Sequence, residues 1–584
     1  MSGNSFSAAA KAGDRAAIQR LCRQALARGD VTAAAAALKS AWPDLAALPF
    51  DRARALVISS ARSDLLADAM RIAFAAAGIL VETATVAHFD LAAARDAVGR
   101  DIVVVCAHAE DLLRASRDAA SPEEGARLAR EAGGFVAEIV RAGDGCALCC
   151  EITPFSDSQA TSVAFDPVAV ANAELARCLP AGTSLLTNAE LAAMAGPWID
   201  PRLHALAGTP YTQRALGHIA YRAAGVAAAL AGRTFKLVVT DLDGTLWPGV
   251  IGEDGIEAAL RTDLEQAPHR RLRHALAELP GRGMLLAAVS HNEYADATEA
   301  LARLQDGTLS PASFAAIEAG WDSKPAMIWR LLRRLNLGAA AMMAIDDDPL
   351  RCAEIRAAFP DADVRHMDGD ADAFAAELEH DPLLSALPPG ATTDRNRLYE
   401  IRARAEATRL STSNLEDFCR ALDMRIAFER LNETLLPRAI ELTRRTNQFN
   451  VTGWRPTVAE LRRAIGDPGR IAFLIDLRDR FGDHGLVGLV LAALDGQDCR
   501  IAGFYLSCRA LGRQIESAML AELSSLAAAK GTTHLIGEIA TLPRNAPARD
   551  LYRRHGFEPT DDTGSRYRLS TGRLAMPAVL KVET

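Results

Sequence analysis

Cysteine is scarce in this chain, ten in 584 residues, and no spacing among them forms a disulfide framework; this excludes a small cross-linked scaffold and suits a reducing compartment. Cys146, Cys149 and Cys150 form a CxxCC, but the segment CALCCEITPF reads as an apolar strand, and no second ligand pair follows at zinc-site spacing. Long apolar runs are also missing. No stretch offers 18 uncharged apolar residues, and residues 1–24 are broken by Lys11, Asp14 and Arg15, so neither a membrane span nor a signal peptide is expected. The expected address is cytoplasmic, with no membrane partner. Basic runs are absent and the net charge is −9, so nucleic acid is not an expected partner either. With 26 prolines, 49% hydrophobic and 24% charged residues, the chain has the profile of a folded, helix-rich protein, and its length predicts several domains.

Residues 1–50 are Ala-rich and predict two short helices parted at Gly29-Asp30, a docking or packing element. From residue 51 the text turns to strand, helix, strand (RALVISS, SDLLADAMRIAFAAAG, ILVETATV, then DIVVVCA), the pattern of a parallel α/β layer over residues 51–232. A helix near Gln213–Ala231 leads into FKLVVTDLDGTLW, which opens a second α/β domain, residues 233–385. The stretch DPLLSALPPGATTD marks a linker, and a charged helix within residues 386–425 leads to a third, α+β domain over residues 426–584.

The chemistry concentrates where apolar strands end in acids. Asp241-Leu242-Asp243-Gly244-Thr245 closes a strand, which places both carboxylates in the crevice at the carboxyl end of a parallel sheet. Strand alternation would point Asp241 and Asp243 the same way. One carboxylate can attack phosphorus to form an aspartyl phosphate; the second can protonate the leaving group and later activate water. Anions facing a phosphate need a hard cation, and oxygen ligands suit Mg²⁺, with Asp241, Asp243, Asp346 and Asp347 as the expected ligands. Lys324 is the candidate to neutralise the phosphoryl group, and Ser290, ending MLLAAVS, the candidate to bind a phosphate oxygen. Thr245, Trp247, His291 and Asn292 complete the expected substrate contacts. The short interval between Asp243 and Ser290 leaves no room for a large cap domain.

In the third domain, CRALGRQ (residues 508–514) follows an apolar strand and opens the helix IESAMLAELSSLAAA. A Gly-containing loop with Arg509, Gly512 and Arg513 at a helix N-terminus suits the pyrophosphate of coenzyme A or a phosphopantetheine arm. Asn545, Tyr552 and Gly556-Phe557 resemble the acyl-CoA-binding end of the Gcn5-related acetyltransferase (GNAT) fold, which implies Tyr552 as proton donor to the departing thiolate.

The order Asp-x-Asp-x-Thr, Ser, Lys, Asp-Asp resembles the four-motif pattern of the haloacid dehalogenase (HAD) superfamily. LVVTDLDGTLWPGVIGEDG, WDSKPAMIWRLLRRLNLG, AIDDDPLRCAEIRAAFP, RRTNQFNVTGWRPT and RDRFGDHG together resemble the FkbH-like HAD-IIIC family. That likeness implies an SGNH-hydrolase-like layer, a HAD-type Rossmann-like parallel sheet and a GNAT-like domain in that order. It also implies transfer of a glyceryl unit from 1,3-bisphosphoglycerate to an acyl carrier protein, with loss of phosphate, in polyketide-type biosynthesis. Glyceryl-loading members resemble CSKN at the second motif, whereas this chain reads Val289-Ser290-His291-Asn292, without the thiol; Gly244 and Pro248 also depart from the family's usual Asn and Gly. Cys508 is an alternative thiol. In the first layer, Ser59 or Ser60 with Asp200 and His204 are the candidates for a hydrolytic relay, although the Gly-Asp-Ser block and Asp-x-x-His spacing are absent. The alternative to carrier loading is a phosphate-monoester phosphatase fused to an acyl-CoA-dependent acyltransferase.

Overall fold

Near-continuous apolar strands, the mark of parallel sheets covered on both faces, recur through the first two thirds of the chain, and alternating strands follow in the last third. The computed structural model describes residues 3–583 apart from 88, 90–91, 93, 95–100, 144–146, 156–165, 181–182, 231–232, 260–265, 305, 336, 385–414, 447, 508–509, 542–544 and 562–563. It divides into two units, Met1–Thr392 and Thr393–Thr584.

The first unit opens with helices Gly3–Lys11, Arg15–Arg28, Val31–Ser40 and Trp42–Leu45. Gly29, at φ +75°, closes the second helix by donating its amide to the Ala25 and Leu26 carbonyls, as the sequence predicts. The break at Gly13-Asp14 is not expected from the sequence; Asp14 caps the second helix by accepting from the Ala17 amide at 2.9 Å.

Strands β1 (Asp51–Ser59), β2 (Ile79–Ala87), β3 (Ile102–Cys106), β4 (Ala147–Cys150) and β5 (Ser184–Leu186) form a parallel sheet in the order β2-β1-β3-β4-β5. Cys149 and Cys150 are buried on β4, as an apolar strand requires, while Cys146 lies outside the described residues. A second parallel sheet has the order β10-β9-β6-β7-β8, from β6 (Leu237–Thr240), β7 (Leu285–Ser290), β8 (Ala316–Ala319), β9 (Met342–Asp346) and β10 (Asp363–His366). One apolar core runs from Phe6 through Ile72 and Tyr211 to Leu384, so the N-terminal helices and both sheets share an interior. Between β6 and β7 the described residues hold the short helices Ile251–Asp254 and Ile256–Ala259, the helix Gln266–Ala277 and the single 3-10 turn Pro280–Arg282.

Buried charge also crosses this interior. Arg23 of the second helix lies 3.9 Å from both Glu377 and Asp381, and Arg365 on β10 pairs with Asp363 at 2.8 Å and with Asp381.

The second unit is a mixed sheet in the order β16-β17-β15-β14-β13-β12-β11-β18. Its strands are β11 (Met424–Arg430), β12 (Arg470–Asp479), β13 (Gly482–Asp495), β14 (Asp498–Leu506), β15 (His534–Glu538), β16 (Glu558–Pro559), β17 (Arg566–Ser570) and β18 (Leu580–Val582). β11 to β14 pair antiparallel, and β15 joins β14 in parallel. Helix Ile515–Ala529 buries Ile515, Met519, Leu520 and Leu523 in the core of this unit. Most of the expected linker helix lies outside the described residues; Leu415–Ala421 is helical. No described helix is long and apolar enough to cross a membrane.

Candidate active site

β6 sits between β9 and β7, so the crevice at the carboxyl ends of these three strands is a topological switch point. Asp241 follows β6, Ser290 ends β7 and Asp346 ends β9. β6 stops at Thr240, so the expected strand alternation does not relate Asp241 to Asp243; a turn does. In that turn the Leu246 amide donates to the Leu242 carbonyl at 2.7 Å, and Gly244 adopts φ +66°. A Cβ at Gly244 would come within 2.1 Å of Asp347 Oδ2, so glycine is required both by the backbone angle and by the approach of that carboxylate.

Lys324, at the start of helix Lys324–Leu335, is 3% exposed; its Nζ lies 2.7 Å from Asp241 Oδ2 and 2.5 Å from Asp346 Oδ2. Burial opposes the ammonium charge, but Asp241 and Asp346 outweigh it and hold the group above its usual range. Burial pushes Asp241 up to about 7, with Lys324 pulling down and Asp346 pushing up. Asp347 is also raised, by burial first and then by Asp346.

Ligand oxygens of Asp241, Asp346 and Asp347 lie within 4.8 Å of one another. Asp241 Oδ1 is buried without a hydrogen-bond partner among the described residues. Three converging carboxylates with one orphaned oxygen fit a hard divalent cation such as Mg²⁺. Asp243 stands outside this group, which corrects its expected role as a carboxylate ligand. Trp247 Nε1 donates to its Oδ1 at 2.8 Å, and Asn292 Nδ2 donates to its Oδ2 at 2.8 Å and to Ser290 Oγ at 3.0 Å.

Trp247 and Thr245 are wholly buried, so they position the acids instead of touching a substrate as expected. Thr245 Oγ1 donates to Asp347 Oδ1 at 3.2 Å. His291 Nε2 donates to the Asp322 carbonyl at 3.0 Å and so ties the Ser290 loop to the loop before Lys324. Sequence reasoning misses the supports behind the turn: His269 Nδ1 donates to the Thr245 carbonyl at 2.8 Å, Arg273 Nη1 to the Leu246 carbonyl at 2.5 Å, and His366 Nε2 to the Asp347 carbonyl at 2.9 Å. These bonds end on backbone atoms, for which no motif carries a signal.

The other expected sites are placed differently. In the first sheet Ser60 Oγ accepts from the His108 amide at 3.0 Å, Asp200 caps helix Pro201–Ala207, and His204 Nδ1 lies 4.0 Å from Glu110 Oε1. No hydrogen bond among the described residues joins Ser59 or Ser60 to His204, so the relay expected of these residues is not assembled. In the second unit Arg513 is buried, its Nη1 2.9 Å from Asp479 Oδ2 and 3.2 Å from His484 Nε2, so it braces the β12–β13 turn. Gly512 has φ +71° with open space around it, and Cys508 and Arg509 lie outside the described residues. Asn545 is buried and donates to the Ala540 and Asn450 carbonyls at 2.7 and 3.2 Å. Tyr552 is wholly buried against Phe557 and Tyr567, and its hydroxyl has no partner among the described residues.

Comparison with known proteins divides along the same line. Residues 439–557 match the acetyltransferase (GNAT) family, so the C-terminal unit carries a GNAT acetyltransferase domain. No curated protein matches the chain. Among solved structures, the chain is similar to the N-terminal part of the protein BF1531 from Bacteroides fragilis, containing a phosphatase domain complexed with Mg, at 20% identity over 58% of this chain and 95% of that one, TM-score 0.46. It is similar to the ribosomal-protein-S18-alanine N-acetyltransferase from Escherichia coli at 14% identity over 26% of this chain and 96% of that one, TM-score 0.20. A spermidine N-acetyltransferase from Vibrio cholerae, in complex with CoA and spermine, is similar at 14% identity over 26% of this chain and 97% of that one, TM-score 0.20.

Proposed function

We propose that this chain is a Mg²⁺-dependent HAD-type enzyme of the FkbH-like kind. It takes a small phosphorylated acyl donor resembling 1,3-bisphosphoglycerate, releases phosphate, and delivers the acyl group to an acyl carrier protein. The observation that carries the phosphate chemistry is Lys324 held between Asp241 and Asp346 beside an orphaned Asp241 oxygen.

The carrier thiol takes the acyl group by attacking the acyl-phosphate carbonyl carbon, its proton leaving with the phosphate as the C–O bond breaks; on the donor's phosphate ester, Asp241 attacks phosphorus, forming the aspartyl phosphate as the bond to the leaving ester oxygen breaks. Asp243, fixed by Trp247 and Asn292, gives its proton to that oxygen and then takes one from the water that releases phosphate. Lys324 balances the phosphoryl charge. When bound, Mg²⁺ at Asp241, Asp346 and Asp347 supplies further neutralisation of that charge. The motif resemblance and the GNAT domain support the acyl half of the reading, in which coenzyme A or a phosphopantetheine arm is the thiol carrier.

Val289, where glyceryl-loading relatives resemble a Cys, favours a second reading: a phosphate-monoester phosphatase fused to an acyl-CoA-dependent acyltransferase. Intact-mass spectrometry of holo carrier proteins, incubated with the enzyme, Mg²⁺ and 1,3-bisphosphoglycerate beside Asp241→Asn, separates the two. A glyceryl mass gain lost in the variant supports carrier loading. Phosphate release by the parent alone, without a mass gain, supports the fusion; no phosphate release from that donor or from generic phosphate monoesters refutes both.

A further inference from the structure

A cavity of about 550 Å³ lies in the first unit, away from the carboxylate crevice, within the size range of small-molecule sites. Its wall is cationic: Arg214, Arg271 and Arg282 line it together with His218, His274 and His380. Arg271 is already neutralised by Glu379 at 2.7 Å and Asp372 at 3.0 Å. Arg214 and Arg282 make no ion pair among the described residues, and one unpaired carboxylate, Glu278, faces them.

The stem of Arg214 packs over Gly29, where a Cβ would meet its Cγ at 2.8 Å. Arg282 is anchored by donating from Nη1 to the Leu384 carbonyl at 3.3 Å. Arg214 and Arg282 thus bring charge without an acidic partner to one partly open pocket, which His218, His274 and His380 also line. Two guanidiniums without acidic partners suit an oxyanion that carries more than one negative charge, as a phosphate group does.

We propose that this cavity is a second ligand site, separate from the Asp241 centre, for a small phosphorylated molecule of the phosphate-ester or diphosphate class. The test is calorimetric titration of the full chain with inorganic pyrophosphate in EDTA, where Asp241, Asp346 and Asp347 without a cation repel an anion. One saturable event per chain is expected, retained in Asp241→Asn and weakened at least tenfold in Arg214→Glu. Arg214 is exposed and pairs with nothing described, so this variant should fold, which an unchanged melting temperature checks. Arg282→Glu provides an independent second variant. Absence of saturable binding, loss of binding in Asp241→Asn, full retention in both glutamate variants, or tighter binding of citrate than of pyrophosphate would each overturn the assignment.

Discussion

Replacing Lys324 with methionine keeps most of the buried stem and removes one charge from a site holding Asp241 and Asp346 within 2.7 Å of it. Breaking a buried pair from one side costs about 3–5 kcal/mol, because the remaining charge is left uncompensated. For a unit of this size that is a fall of roughly 4–6 °C in melting temperature. The pH dependence has a definite sign. A carboxyl raised in the folded state binds more protons folded than unfolded, so stability falls as pH rises from the unfolded value toward the folded one. In the parent that fall ends near the Asp241 value of about 7. Without Lys324, whose charge lowers it, Asp241 titrates higher, so the variant keeps losing stability above pH 7. Thermal denaturation in EDTA should therefore show a larger deficit at pH 9 than at pH 6, and adding Asp346→Asn should recover part of it. Phosphate release from an aryl phosphate should drop by roughly 10²–10³. A variant that melts with the parent at pH 9, or releases phosphate at the parental rate, would refute the reasoning.

Gly244→Ala should destabilise the protein by about 1–3 kcal/mol, seen by denaturant titration, and weaken Mg²⁺ binding at least tenfold by displacing Asp347. Mg²⁺ affinity should rise up to tenfold per pH unit until about pH 7 and flatten above it, since Asp241 must lose its proton to bind the ion; calorimetry in buffers of different ionisation enthalpy measures the proton released. Tyr552→Phe should leave melting unchanged or slightly raised, because it removes a buried hydroxyl that has no partner, and should change acyl-CoA turnover by no more than about twofold. A hundredfold loss of kcat at unchanged KM in a thiol-release assay would restore Tyr552 as the proton donor.

The acids and Lys324 are legible in sequence because each ends an apolar strand or starts a helix, and parallel sheets gather such ends in one crevice. What sequence cannot give is which way a side chain turns once the strand stops. Asp243 lies in a turn whose geometry is set by Gly244, so strand periodicity does not place it. For Arg513 and Asn545 the direction of the side chain is not legible: a polar residue near a loop reads alike whether it faces a ligand or satisfies the backbone and ion pairs behind it. The partners that hold these two side chains, Asp479, His484 and the Asn450 carbonyl, are distant in sequence.

The charge network around Asp381 bears on how the gene can be divided. Three buried or half-buried carboxylates, Asp363, Glu377 and Asp381, are balanced by Arg365 and by Arg23, and Arg23 is encoded more than three hundred codons upstream. A fragment starting at residue 233 would carry the acids without one of their two cations and would also bare the apolar face that Phe6 to Leu45 cover. The segment that reads as a separable module is thus one part of a larger folding unit, and expression of the phosphate-handling half should begin at the first helix.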